Sequence, residues 1–256
     1  MGFDVSGTAY GRFMGRFSEP LSPVFADATP LRPGDRALDV GCGPGALTAV
    51  LVERLGADRV VAVDPSASFV AAVRERLSGV AVEQAPAEAL PFDDGSFDVA
   101  LAQLVVHFMA DPVAGLREMA RVTRPGGVVA SCVWDHSSSR GPLTVFWDAV
   151  HELDPLAGGE RGLAGAREGH LAELTREAGL EDVETCSVSV TVPCRDVDDW
   201  WEPFTLGVGP AGAYVADLDD TGRHELRAEC ARRLPEGPFS VTASAWTATG
   251  RVPTAP

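Results

Sequence analysis

Ala37-Leu38-Asp39-Val40-Gly41-Cys42-Gly43-Pro44-Gly45 constrains this chain more than any other stretch. Its apolar beginning, rich in Leu and Val, reads as a strand buried on both faces, because a half-exposed strand would alternate with polar residues. The run stops at Gly41, Gly43 and Gly45, and apolar residues at helical spacing follow from Ala46 to Leu55. Strand, glycine turn and helix make the first unit of a doubly wound α/β domain, where ligands lie beyond the carboxyl ends of the strands. The glycines let the backbone bend sharply and approach a ligand closely.

A second apolar run, Arg59 to Val63, ends in Asp64, 19 residues after Gly45. An isolated Asp after a strand is most often a helix cap. At this spacing it reads as the carboxylate that nucleotide folds place against ribose hydroxyls, with Pro65 and Ser66 beside it. Two cofactor classes use such a strand pair. A dinucleotide fingerprint, G-x-G-x-x-G, would need glycine at position 46, which is Ala. Pro44 also removes one backbone N–H from the turn. A loop short of a donor suits a ligand without phosphate, and S-adenosylmethionine is one. A nicotinamide-dependent oxidoreductase and a cofactor-binding protein without transfer activity stay open as alternatives.

Asp39 to Gly45 resembles the first motif of the class I methyltransferases that use S-adenosylmethionine, a hydrophobic strand ending in Asp-Val-Gly-x-Gly-x-Gly. Arg121-Val122-x-Arg124-Pro125-Gly126-Gly127 resembles that family's entry to its fifth strand. The likeness covers about residues 5–250 and is strongest from Asp39 to Val133. It is nearest to the ubiquinone/menaquinone biosynthesis type and its small-molecule relatives, which methylate carbon, oxygen and nitrogen. The resemblance implies a cofactor site at Asp39, Gly41, Cys42, Gly43, Gly45, Asp64, Pro65 and Ser66. It further implies that Ala87 and Glu88 flank the adenine, and that Gln103, Leu104 and Val105 lie beside the methionine part. The segment Tyr10 to Phe17 would cover both ligands as a lid, with Tyr10 and Arg16 toward the cofactor.

Periodicity along the chain gives a seven-stranded Rossmann-like sheet, mostly parallel with an antiparallel last strand, and helices on both faces. Residues 1–256 then form one domain; the resemblance implies that the helical segment at 1–35 acts as a lid and that helical insertions at 135–169 and 196–235 form or flank the substrate pocket. Tyr10, Phe13, Met14 and Phe17 share one helical face, weakened by Gly7, Gly11 and Gly15 at about 1 kcal/mol each. Pro20, Pro23, Pro30 and Pro33 mark loops and short helix starts. An amphipathic piece runs from Leu143 to Leu153, and further strands are expected at Val128 to Val133, Val183 to Val192 and Phe239 to Thr249.

Composition narrows the partners. Net charge is −16 and all 21 basic residues are arginines. Polyanion binding depends on clustered cations, so neither nucleic acid nor an acidic membrane surface is expected as partner. No apolar run approaches the roughly 20 residues that span a bilayer, and no signal peptide is recognisable. A cytoplasmic protein is expected, with oligomeric state open. The five cysteines form no C-x-x-C pair, and no His, Asp and Glu grouping has metal-ligand spacing, so no metal is expected. Methyl transfer draws about 7–11 kcal/mol from orientation and about 3–5 kcal/mol from a general base where one exists. His107, just beyond the fourth strand, is the base candidate, with His136 and His151 as weaker ones. Phe13, Phe17, His107, Phe146 and Trp147 are the expected substrate-pocket residues, and their apolar character points to a small, planar or lipophilic acceptor.

Overall fold

The computed structural model describes residues 11–254. Seven strands form one sheet: β1 (Ala37–Val40), β2 (Val60–Asp64), β3 (Ala81–Gln84), β4 (Phe97–Gln103), β5 (Thr123–Trp134), β6 (Glu181–Cys194) and β7 (Phe239–Arg251). Their order is β3-β2-β1-β4-β5-β7-β6. The first five pair in parallel, and β7 runs antiparallel between β5 and β6. The order reverses between β1 and β4, and that switch point opens a crevice at the carboxyl ends of the strands. Every residue of β1 and β2 is buried, the pattern of strands covered on both faces.

Helices cover both faces as expected. On one lie α1 (Arg16–Asp27), α2 (Ala46–Leu55) and α3 (Ala67–Arg76); Leu21, Phe25, Leu47 and Leu51 pack there with Val60, Val99 and Leu101. Val70 and Val73 of α3 join Ala62 and Val82 on the same side. The other face carries α4 (Pro112–Val122) and α6 (His170–Glu177), whose Leu116, Met119 and Leu171 pack with Leu38, Val61 and Val63. The remaining helices, α5 (Thr144–Leu153), α7 (Val197–Trp201), α8 (Gly209–Asp217) and α9 (Asp220–Arg233), share a separate apolar cluster of Phe146, Trp147, Trp200, Trp201, Phe204 and Leu226. The two helical insertions thus build one cap with its own core.

Two expectations need correction. Pro20 and Pro23 do not mark loops; both lie inside α1. A helical turn at Gly11–Gly15 leads directly into that helix, and its stripe of Phe17, Leu21 and Phe25 is buried on the sheet. That burial outweighs the roughly 3 kcal/mol an interior proline costs. The fifth strand also begins earlier than Val128. Phe97 pairs with Thr123 and Val99 with Val128, so Arg124 to Gly127 bulges out between them. Arg124 Nε donates to Asp98 Oδ1 at 2.6 Å across the bulge.

Candidate active site

The glycine loop after β1 is closed by its own backbone. The amides of Gly41 and Cys42 both donate to Val63 O, at 2.7 and 3.0 Å, tying the loop to the end of β2. Gly45 N donates to Cys42 O at 3.0 Å, and Gly43 N donates to Asp64 Oδ2 at 2.9 Å. With Pro44 contributing no N–H, no amide from 41 to 45 remains for a pyrophosphate, which argues against the dinucleotide reading. Gly41 has φ +70°, and a Cβ there would stand 2.5 Å from a methyl of Val105, so only glycine fits.

Asp64 ends β2 with 6% of its surface exposed. Its second oxygen, Oδ1, accepts from Ser66 N at 2.8 Å. Burial raises its pKa, while the bonds from Ser66 and Gly43 act the other way. A carboxylate has about four acceptor positions. The two backbone bonds leave capacity for hydroxyl donors.

Asp64 forms one wall of a cleft of about 510 Å³ at the switch point. Gly41, Gly43, Pro65 and Ser66 line it from the first two strand ends, Ala87 and Glu88 from the loop after β3, and Gln103, Leu104 and Val105 from the end of β4. These ten residues come from four chain segments, and the structure brings them to one cavity. Glu88 Oε1 accepts from Ala110 N at 2.8 Å, joining two of its walls. Gln103 Nε2 donates to Ser18 O and Ser22 Oγ, at 3.1 and 3.0 Å, while its Oε1 is buried without a partner among the described residues. Phe69, Pro86, Phe108 and Met109 also line the cleft, and sequence reading missed them. They are common apolar types, with no periodic signal separating them from core.

Other expected cofactor residues do not reach the cleft wall. Asp39 is 1% exposed behind the loop, where Thr48 Oγ1 donates to its Oδ2 at 2.6 Å and couples β1 to α2. Burial, followed by the nearby Asp64 charge, raises its pKa to about 7 despite the Thr48 bond. Cys42 turns its side chain into the cluster of Ala62, Val70 and Val73. Gly45 has φ +91° and begins α2; a Cβ there would meet Val73 at 3.1 Å. Arg16 points elsewhere, donating to Asp199 O at 2.8 Å and Pro193 O at 3.2 Å. Tyr10 lies outside the described residues.

Beyond Leu104 and Phe108, which line both cavities, lies a small niche of about 40 Å³. Phe13, Met14, Trp134 and Leu143 form its apolar walls, and His107, His136 and Glu160 its polar end. Phe13 and Met14 therefore do cover this niche, but residues 11–20 are packed structure: Phe13 meets Phe204 edge-on at 5.1 Å and Phe17 meets Trp134 at 6.4 Å. Phe17 and Phe146 belong to core rather than pocket; Phe146 is fully buried and stacks on Phe204 at 4.6 Å. Trp147 reaches the niche through Glu160, donating from Nε1 to Oε2 at 2.8 Å.

His107 is in place but has the wrong proton affinity for a base. Burial, followed by the neighbouring His136, pushes its pKa down to about 3, so its imidazole is neutral at pH 7. Burial pushes His136 down to about 4. Glu160 responds oppositely, raised by burial to about 7 although the Trp147 bond acts to lower it. Glu160 escaped sequence reading because a lone acid in a glycine-rich segment carries no pattern. His151 lies 6.2 Å from the Trp147 ring and is not a niche wall. Among the described residues, no three His, Cys, Asp or Glu side chains could together hold a metal.

The sheet order, the glycine loop and the acid ending β2 define a nucleotide-type cleft on a doubly wound fold. Residues 38–131 match the family described as methyltransferase domain. An uncharacterised 37.1 kDa protein in transposon TN4556 of Streptomyces fradiae is 41% identical over 182 residues, 68% of this chain and 50% of that protein. The ubiquinone/menaquinone biosynthesis C-methyltransferase UbiE of Stenotrophomonas maltophilia is 42% identical over 104 residues, 38% of this chain and 41% of its own length. The chain thus spans half or less of these curated relatives. A putative methyltransferase from Bacillus halodurans superposes with TM-score 0.60 over 91% of this chain and 99% of its own, and at 18% identity that likeness is one of fold. Over residues 38–131 the chain matches a methyltransferase domain, carried on a doubly wound fold shared with the Bacillus halodurans structure. Among the described residues, no helix is long and apolar enough to cross a membrane.

Proposed function

We propose that this chain transfers a methyl group from S-adenosylmethionine to a small, planar or lipophilic molecule. The observation that carries the reading is the convergence on one cleft of Asp64, the glycine loop, Ala87 with Glu88, and Gln103 to Val105. The spare acceptor positions of Asp64 suit ribose hydroxyls, and the apolar wall with the second oxygen of Glu88 suits adenine. The buried, unpartnered Gln103 Oε1 suits a donor at the amino-acid end of the ligand. The cofactor, when bound, supplies a methyl on a sulfonium; this chain's part is to orient two reactants and exclude water. Leu104 and Phe108 line both cleft and niche, which supports an acceptor position beside the end of β4. Acidic net charge and the absence of arginine from the described walls of both cavities support a small neutral acceptor over nucleic acid.

Calorimetry with S-adenosylhomocysteine tests the cofactor site. Wild type is expected to bind one equivalent and to ignore NAD. Asp64→Ala removes charge-assisted hydrogen bonds and should weaken binding at least about tenfold. Unchanged affinity in that variant would sink the site assignment, and saturable NAD binding would revive the oxidoreductase reading. Incubation with methyl-labelled S-adenosylmethionine and a panel of lipophilic phenols, amines and enols then tests transfer.

A further inference from the structure

The niche holds a polar end that the methyltransferase reading leaves unused. Glu160 is 5% exposed and His136 7% exposed; with His107 they form the polar end of a niche whose other walls are mainly apolar. Burying a carboxylate costs several kcal/mol unless it is paired, and no arginine lines this niche among the described residues. Glu160 Oε2 has one donor, Trp147 Nε1 at 2.8 Å, and His136 Nδ1 stands 3.9 Å from the same oxygen, too far for a hydrogen bond. Two further wall residues keep a buried polar atom without a partner among the described residues: His107 Nδ1 and Trp134 Nε1. Native interiors rarely leave such atoms unsatisfied, so each calls for a partner, either a water or a polar group of a bound molecule. The set present, one carboxylate, two neutral imidazoles and one indole N–H, both accepts and donates but carries no cation. A hydroxyl fits it; a carboxylate or phosphate does not.

Resting on the methyltransferase reading, we propose that Glu160 is the proton acceptor for a hydroxyl on an aromatic or similarly apolar acceptor, with His136 as its positioning neighbour. In that step the O–H bond breaks, the proton passes to the Glu160 carboxylate, and the electron pair stays on oxygen. That pair forms the bond to the methyl carbon as the carbon–sulfur bond of the cofactor breaks and its sulfonium becomes a neutral thioether. Charge balances throughout. The polarity of the site agrees: burial has made the carboxylate the most basic of the three polar groups, raising it to about 7 while the imidazoles fall to about 4 and 3. A base works best when its pKa lies near the working pH. Groups facing Glu160 are Trp147 from α5, His136 from the end of β5 and His107 from the turn after β4, with the Asp148–Arg161 ion pair alongside. Asp135, next to His136, is already paired with Arg140 at 2.8 Å.

The test uses 2-naphthol, which is un-ionised in solution at pH 8, and naphthalene as a matched pair, titrated into the protein saturated with S-adenosylhomocysteine. At pH 8 the wild type should hold 2-naphthol about tenfold or more tightly than naphthalene. Its near-ultraviolet spectrum should show how much of the bound naphthol has given up its proton. The preference should fade as pH falls through about 7, because a protonated Glu160 no longer takes the proton. Glu160→Gln, which keeps the shape and the Trp147 bond, should bind both probes alike at every pH. Trp147→Phe removes the bond that lowers the Glu160 pKa, so the midpoint should move upward. Equal affinity for the two probes in wild type, an undiminished preference in Glu160→Gln, or no saturable binding of either would overturn the proposal. Binding of S-adenosylhomocysteine, measured separately, should be the same in all three proteins; its loss from wild type would instead remove the methyltransferase reading.

Discussion

Glu160→Gln should make the protein more stable above neutral pH, and the gain follows from burial. The folded state raises the Glu160 pKa from 4.5 to about 7. Each pKa unit is worth about 1.4 kcal/mol, so holding the ionised carboxylate in the fold costs about 3 kcal/mol at pH 8. The sign follows from linkage: stability from the neutral acid is fully present below pH 4.5 and is lost as pH rises through about 7. Glutamine stays neutral, and its amide oxygen still accepts from Trp147 Nε1. His136 contributes the opposite slope, since its folded pKa is depressed to about 4, but burial and Asp135 set that shift, so it cancels between the two proteins. Urea unfolding followed by tryptophan fluorescence should give nearly equal stabilities at pH 4.5 and a variant more stable by about 2–3 kcal/mol at pH 8. For a chain of this size the corresponding rise in Tm is about 4–12 °C. A variant equal to or weaker than wild type at pH 8 would refute the reasoning, because it would mean that the carboxylate is paired or solvated when ionised.

Gly41→Ala should cost about 2–4 kcal/mol in urea unfolding, since its φ is +70° and the new methyl would stand 2.5 Å from Val105; adding Val105→Ala should return part of the loss. Phe17→Ala should cost about 3–5 kcal/mol, because the ring is buried against Trp134, whereas a freely opening lid residue would lose almost nothing.

Sequence reading succeeded where local chemistry and position coincide. The glycines at 41, 43 and 45 have positive φ, a demand visible in residue type alone. Asp64 was legible because the strand, loop and acid stand at a fixed spacing, which the parallel register of β1 and β2 converts into contact. Asp39 and Cys42 show the limit. Both lie within the motif, but the strand alternation turns Asp39 behind the loop toward Thr48, and the loop turns Cys42 into apolar packing. Arg16 fails for a related reason: its partner Asp199 lies 183 residues away, beyond any periodic signal. The niche was half legible. His107 follows directly from the end of β4, but Glu160 reaches it through an insertion with no repeating pattern, and only the fold brings the two together.

The placement of charge, more than its sum, argues for a neutral acceptor. A net charge of −16 makes polyanions poor partners but says little about a small molecule. In the fold many arginines are engaged at structural joints: Arg16 with Asp199, Arg121 with Glu118 and Asp94, Arg124 with Asp98, Arg140 with Asp135. None of the described residues lining the cleft or the niche is an arginine, whereas Asp64 and Glu88 line the first and Glu160 the second. An anionic acceptor would meet carboxylates in a weakly solvated space, where like charges a few ångströms apart cost several kcal/mol. A sulfonium cofactor meets the same field with the opposite sign. On the proposed function, the charge pattern that repels an anion from this site also favours a cationic methyl donor, and the two selections would be one electrostatic property of the fold.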